Sequence, residues 1–256
     1  MSQQQRVKIE LSHVSHFFEK DGAPFQVLHD ISEQILENEF ISIVGPSGCG
    51  KSTLLYIVAG FIAPTEGRVL HNSVEVQGPS AQRGVVFQTD AVFPWLTVYK
   101  NIEFGLELKR IPKSERDSIV RRFISLVELD GSENLYPKQL SGGMKKRVDV
   151  ARTFALDPDV LLLDESFGSL DAQTKENLQL ELLKLWERDK KTALFVTHDI
   201  EEAIFLADRV FVMKRGPGEF THKAVVPFPR PRSRELKMTA EFQALRHELS
   251  AELARA

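Results

Sequence analysis

Cysteine is nearly absent from this chain: Cys49 is the only one among 256 residues. A single thiol excludes a disulfide within the chain, and with it a small disulfide-stapled scaffold. Long apolar runs are missing too. No stretch approaches the roughly 18 to 20 apolar residues that cross a bilayer. The most apolar ones, at 40–44, 160–163, 193–196 and 210–213, have the length of buried parallel strands. Residues 1–6 are polar and Gln-rich, without the apolar stretch of a signal peptide. If such a protein works at a membrane, it is expected to dock onto another subunit. Charge of one sign is not in excess either. Lys and Arg number 33 against 36 Asp and Glu, a formal net charge of -3. That argues against a chain built to coat nucleic acid or anionic lipid. No internal repeat and no low-complexity block is present.

What is there is an ordinary globular balance, with 42% hydrophobic and 27% charged residues. The length suits one large α/β domain or a domain with a short appendage. Helical patterns alternate with the short apolar runs, the signature of a parallel sheet wrapped by helices. Residues 7–36 differ. The alternation Val7-Lys8-Ile9-Glu10-Leu11 predicts half-exposed antiparallel strands, and residues 68–77 are expected to join that layer. Residues 90–155 are mainly helical in pattern, broken at Pro94, Pro112 and Pro137. Residues 217–235 carry Pro217, Pro227, Pro229 and Pro231 among Arg230, Arg232 and Arg234, and are expected to be a solvated surface connector. Phe242, Leu245, Leu249 and Leu253 then recur at helical spacing and predict a helix packed on its own domain.

Gly45-Pro46-Ser47-Gly48-Cys49-Gly50-Lys51-Ser52-Thr53 fits the pattern Gly-x-x-x-x-Gly-Lys-[Ser/Thr]. A strand pattern precedes it and a helical pattern follows it. The glycines let backbone N–H groups turn inward around phosphate oxygens, and the helix N-terminus adds partial positive charge. Lys51 should reach the β- and γ-phosphates of a nucleotide, and Ser52 should ligate Mg²⁺. The competing reading, a glycine-rich turn with no nucleotide, explains neither the full motif nor its setting. Cys49 occupies a variable position and reads as a filler. The run Val160-Leu161-Leu162-Leu163 ends in Asp164-Glu165. Asp164 is placed to hold Mg²⁺, and Glu165 to orient or deprotonate the attacking water.

Further segments carry a family resemblance. Leu140-Ser141-Gly142-Gly143-Met144 opens a helical pattern. Gln88 follows the strand pattern 84–87, His198 follows 193–197, and Ser169-Leu170-Asp171 follows the acidic pair. In this order these segments resemble the nucleotide-binding subunits of ABC transporters, over about residues 7–235. The similarity is greatest to the nitrate, sulfonate and taurine importer ATPases, in segments that include Phe93-Pro94-Trp95-Leu96-Thr97-Val98 and Leu170-Asp171-Ala172-Gln173-Thr174.

The resemblance implies a P-loop α/β fold with a mainly parallel core sheet, an N-terminal antiparallel layer and a helical subdomain. It places an ATP-binding domain at 6–235, the helical subdomain at about 90–155, and a C-terminal helical extension at 236–256. It implies hydrolysis of ATP with Mg²⁺ by head-to-tail dimers, each nucleotide sandwiched between two ATPase subunits. The Ser141-Gly142-Gly143 turn would face the γ-phosphate held by the other chain. Gln88 would contact Mg²⁺ and the water, His198 the γ-phosphate, and Asp171 would shape the dimer contact. An aromatic residue would stack on adenine, either Phe18 or Phe17, with Phe18 favoured. The implied partners are a transmembrane permease, docked near Gln88 and residues 90–110, and indirectly a solute-binding protein, with no nucleic acid. The implied location is peripheral, on the cytoplasmic face of the cell membrane. Departures from the family pattern are Lys146 and Asp149 on the signature helix, Ser166 after the acidic pair and Asn38 before the first core strand; Asp149 is expected to bear on docking or the dimer interface. Other readings from these residues are a soluble ABC ATPase acting on nucleic acid, a subunit that no longer hydrolyses, and a motor for a lipid, metal chelate or polyamine.

Overall fold

A hairpin of β1 (Val7–Lys20) and β2 (Ala23–Leu36) opens the computed structural model, turning where Asp21 and Gly22 take positive φ. The structure describes residues 6–89, 91–167 and 172–256. Strand β3 (Phe40–Val44) then leads through a glycine-rich loop into α1 (Lys51–Ala59). Strands β4 (Glu66–His71) and β5 (Val74–Glu75) follow, then β6 (Arg83–Val86). Three helices come next: α2 (Val98–Leu108), α3 (Lys113–Leu126) and α4 (Gly142–Ala155). The remainder is β7 (Val160–Asp164), α5 (Ala172–Asp189), β8 (Thr192–Thr197), α6 (Ile200–Leu206), β9 (Arg209–Met213), β10 (Phe220–Val225) and α7 (Ala240–Arg255).

The alternating strands form an antiparallel sheet in the order β2-β1-β4-β5, as their pattern predicts. The continuously apolar ones form the main sheet, ordered β10-β9-β3-β8-β7-β6 and parallel except for β10. Strand period decides what each face meets. Ile41 and Ile43 of β3 pack toward α1, whereas Phe40 and Val44 pack toward the helices on the opposite face. Helix α1 lies between the two sheets. Its Leu54, Leu55, Ile57 and Val58 are all buried, touching Ile9, Leu11 and Leu28 of the hairpin as well as the main sheet. This double burial explains why the helix is apolar on most of its surface, its polar side chains confined to the first turn and Tyr56. The opposite face carries α2 to α7, with Phe242 and Leu249 of α7 buried in the common core. Asn38 adopts φ of 62°, a left-handed conformation that asparagine tolerates, which accounts for its standing where glycine is usual.

Residues 217–235 depart from expectation. They contain β10, an edge strand paired with β9, and of the arginines after it Arg230 and Arg232 are held rather than solvated, while Arg234 is exposed. Arg232 is buried and donates from Nη1 to the carbonyls of Ile204, Phe205 and Ala207 at 2.8–3.0 Å. It thus satisfies the carbonyls that the end of α6 leaves without intrahelical partners. Burial, with Arg230 beside it, pushes the Arg232 guanidinium down to about 10, which leaves it cationic at neutral pH. Arg230 binds Asp208 at 2.8 Å and stacks over Trp186. Prolines hid a strand here, and the arginines served as caps.

Candidate nucleotide and catalytic site

The carboxyl ends of β3, β7 and β8 point the same way, and ligand sites in such sheets gather there. A cleft of about 270 Å³ opens at that edge, lined by Phe18, Ser47, Gly48, Gly50, Lys51, Ser52, Thr53, Gln88 and Glu165 among others.

Residues 45–50 form its floor. Gly50 adopts φ of 103°, and a Cβ there would sit 2.7 Å from a Leu28 methyl and 3.0 Å from the Val27 carbonyl. Only glycine fits both demands. Lys51 is buried, and its ammonium curls back to donate to the carbonyls of Gly45 at 2.8 Å and Pro46 at 3.1 Å. The cation is thus already desolvated at the loop where phosphate oxygens would lie. Cys49 is buried behind the loop, and burial pushes its thiol up, away from nucleophilic chemistry. It is a filler, as its position in the motif suggests.

Ser52, on the first turn of α1, donates to Asp164 Oδ1 at 2.8 Å. Asp164 is itself buried at the end of β7, and Tyr56 donates to its other oxygen at 2.7 Å. Burial together with the Asp164 carboxylate pushes the Tyr56 phenol up to about 12. Sequence reasoning missed Tyr56. Its signal was present: it is the one polar side chain in the apolar run 54–59, and it stands four residues after Ser52, on the same helical face.

Glu165 takes φ of 38°, a left-handed conformation that is costly outside glycine and is often found at functional sites. Its N–H donates to the Val196 carbonyl at 2.9 Å, which ties the bend to β8. The carboxylate accepts from Gln88 Nε2 at 3.0 Å, and His198 Nδ1 lies 3.4 Å from the same oxygen. Gln88 and His198, each predicted separately along the sequence, therefore meet at the Glu165 carboxylate. His198 is held by the turn after it. Asp199 caps α6 by accepting from Glu201 and Glu202 N–H groups, and Lys175 bridges Asp199 at 2.8 Å and Glu202 at 2.7 Å. Burial would raise the Asp199 carboxyl, but Lys175 and the capping N–H groups outweigh it and lower it.

Phe18 is half exposed and lines the cleft, edge-on to His16, with ring centroids 4.6 Å apart. Phe17 is partly buried and belongs to neither the cleft nor the core clusters. Ser141 caps α4, its Oγ accepting from the Met144 N–H at 3.2 Å. Ser141 and Gly142 are exposed, and Ser141, Gly142 and Gly143 do not line the cleft of their own chain. Asp171 lies outside the described residues. Asp149, expected to bear on docking or a dimer interface, is instead fully buried and binds Arg152 at 2.6 Å within its own chain. Ser166 is buried, with a long 3.5 Å hydrogen bond to the Val86 carbonyl. Arg215, also missed, donates to the Ser47 carbonyl at 3.1 Å from the turn between β9 and β10.

Beside this site, a larger apolar groove of about 510 Å³ runs between β6 and the helical layer, with Phe61, Phe87, Phe93, Phe104 and Leu108 in its walls. Trp95 stacks on Phe93 and is 69% exposed, and Leu108 is 70% exposed. Among the described residues, no helix is long and apolar enough to cross a membrane.

Comparison with known proteins agrees with this geometry. The family profile described as ABC transporter matches residues 28–168. An ABC transporter ATP-binding protein of Methanocaldococcus jannaschii is 51% identical over 90% of this chain and 86% of its own length. An aliphatic sulfonates import ATP-binding protein of Bacillus cereus is 43% identical over 94% of each chain. A solved cassette in a dimeric post-hydrolysis state, bound to ADP and phosphate, superimposes with a TM-score of 0.77 at 32% identity, covering 86% of this chain and all of that one. The fold, the phosphate loop and these relatives lead to one assignment: the chain belongs to the ABC transporter family and is an ATP-binding, ATP-hydrolysing subunit.

Proposed function

We propose that the chain energises a membrane importer for nitrate, a sulfonate, taurine or a similar small solute, and that Glu165 is the general base for ATP hydrolysis. The observation that carries the chemistry is the Glu165 carboxylate, held between the Gln88 amide and His198 at the mouth of the phosphate loop. The loop N–H groups and Lys51 bind the β- and γ-phosphates. Phe18 offers an exposed ring for the adenine. The Ser52 hydroxyl and the Asp164 carboxylate, 2.8 Å apart, form the hard oxygen donor pair that suits Mg²⁺, with the Gln88 amide oxygen as a third donor. A bound Mg²⁺ would neutralise developing charge on the phosphates. Glu165 takes the proton of the attacking water, Gln88 orients the carboxylate, and His198 donates to the γ-phosphate.

The Ser141-Gly142-Gly143 turn is available to a second copy, because it is exposed and separate from its own cleft. This supports a head-to-tail dimer in which each turn completes the partner's nucleotide site, with Asp171 at the contact. The apolar groove and exposed Trp95 fit a helix of a transmembrane permease. That docking would hold the chain peripherally at the cytoplasmic face of the membrane, with a solute-binding protein acting through the permease. The sulfonate import relatives support the cargo class.

The test is to tag the Glu165→Gln variant, express it in its native host, and solubilise membranes with ATP and Mg²⁺. Recovery of a hydrophobic permease encoded beside a solute-binding protein is the expected result. Recovery only from the soluble fraction, with nucleic acid or with no partner, contradicts the transport reading.

A further inference from the structure

Helix α4 is bonded side chain to backbone along the segment that carries Gln88. Lys146, 1% exposed and one turn beyond the Ser141-Gly142-Gly143 turn, donates from Nζ to the carbonyl of Phe87 and, at 3.4 Å, to that of Gln88. Two turns further along the same helix, Arg152 donates to the Ala91 carbonyl at 2.8 Å and Thr153 to the Val85 carbonyl at 3.3 Å. The backbone is thus held on both sides of Gln88, and the Gln88 side chain reaches Glu165 at 3.0 Å. Lysine here replaces the glutamine common in the family. A glutamine amide could also donate, but on a shorter stem and without charge. An ammonium donating to carbonyls makes stronger, charge-assisted bonds, and in a buried site they are not shared with water.

We propose that Lys146 is a positioning residue for hydrolysis. It sets where the Gln88 amide stands relative to Glu165, and it ties that placement to the exposed turn at the start of α4. A nucleotide of the partner chain pressing on the turn would move α4 as a rigid rod, and Lys146 would carry the movement to the Gln88 backbone. Each site would then report its occupancy to the other through one ammonium group. This rests on the reading that Glu165 is the base and Gln88 its orienting group.

The test is a double-mutant cycle on the full chain, with kcat and KM for phosphate release and ATP affinity by calorimetry. Lys146→Met keeps the apolar stem and removes the donor. We expect kcat to fall about 10-fold to 100-fold, the scale of a small misplacement at a reacting group, while ATP affinity stays within about twofold, less than one hydrogen bond is worth. Lys146→Gln keeps an N–H donor and should lose less; it carries the same cycle if the methionine variant does not fold. In a Gln88→Ala background the Lys146 substitution should add almost nothing, because its effect passes through Gln88. An equal loss with and without Gln88 would overturn the proposal while leaving the Gln88 reading intact. Wild-type kcat in Lys146→Met would do the same. Wild-type kcat in Gln88→Ala alone would remove the Gln88 reading, and the proposal with it.

Discussion

The phosphate loop and the helical layer of α2 to α4 stand against the same sheet, and they are packed in different ways. Around the loop, the tight glycines meet backbone carbonyls as well as side chains such as the Cys49 sulfur and a Leu28 methyl. A Cβ on Gly218 would lie 2.2 Å from the Cys49 carbonyl, and one on Gly45 would lie 2.7 Å from the Met213 carbonyl. Where the helical layer meets the sheet, the tight glycines meet side-chain ends alone: a Cβ on Gly105 of α2 would lie 2.5 Å from a Leu156 methyl, and one on Gly84 of β6 2.7 Å from the Thr153 methyl. Carbonyls cannot move without moving the chain, whereas a leucine can change rotamer. The loop is therefore held where phosphate must bind. The helical layer is joined to β6 and Gln88 by a shared apolar core and by the long polar side chains of Lys146 and Arg152, and it presents Trp95 and Leu108 to solvent. The first region keeps a geometry; the second is suited to transmitting a movement.

The contrast can be broken from either side. Among these variants the largest effect should come from Lys51→Ala, which removes the buried ammonium held at the Gly45 and Pro46 carbonyls of the phosphate loop. Charged hydrogen bonds are worth about 1.5–3 kcal/mol, so ATP affinity should fall roughly 10-fold to 100-fold by calorimetry. Unchanged affinity would remove Lys51 from the site. Next, Gly218→Ala should destabilise by about 1–3 kcal/mol in denaturant unfolding, the usual cost of overpacking. Gly105→Ala should cost less than about 1 kcal/mol, because Leu156 can yield and alanine favours the helix. Equal losses would erase the difference between the two regions. Trp95→Ala should leave the ATPase rate of the isolated chain unaltered while weakening permease association by about 1–2 kcal/mol, as for an interface aromatic. The smallest effect is spectroscopic. Tyr56 and Tyr99 are both pushed up to about 12, by burial and by the carboxylates of Asp164 and Asp117 that accept their protons' hydrogen bonds. Since the neutral phenols are favoured, they ionise late in an alkaline absorbance titration. Tyr56→Phe should remove one late tyrosinate and leave the other.

Much of this was legible in the residues because the chemistry of phosphate binding leaves few alternatives. Gly50 and Lys51 are constrained by backbone shape and charge, and the apolar runs ending at Val44, Asp164 and Thr197 announce parallel strands whose ends converge. Glu165 was legible from its place after Asp164 at a strand end, whereas Gln88 and His198 were identifiable only through the family resemblance. Their meeting at one carboxylate depends on β6, β7 and β8 being neighbours, which no local pattern states. What stayed hidden was long-range. Arg230 and Arg232 look like a solvated basic stretch until the end of α6 supplies carbonyls for them. β10 is masked by the prolines on either side of it, Pro217 and Pro227, and by the weak pattern of an edge strand. Lys146 and Asp149 stand out in the sequence only as charged departures on the signature helix, yet both are buried, because α4 packs flat against β6 and the backbone after it.

The account depends most on Glu165. Phosphate release by the Glu165→Gln variant should be compared with that of the unaltered chain, with ATP binding measured on the same samples. Loss of a general base predicts turnover lower by roughly 10² to 10⁴ with ATP affinity preserved. Turnover retained in the variant would contradict the assignment of the base, and with it the meaning given to the Gln88 and His198 contacts.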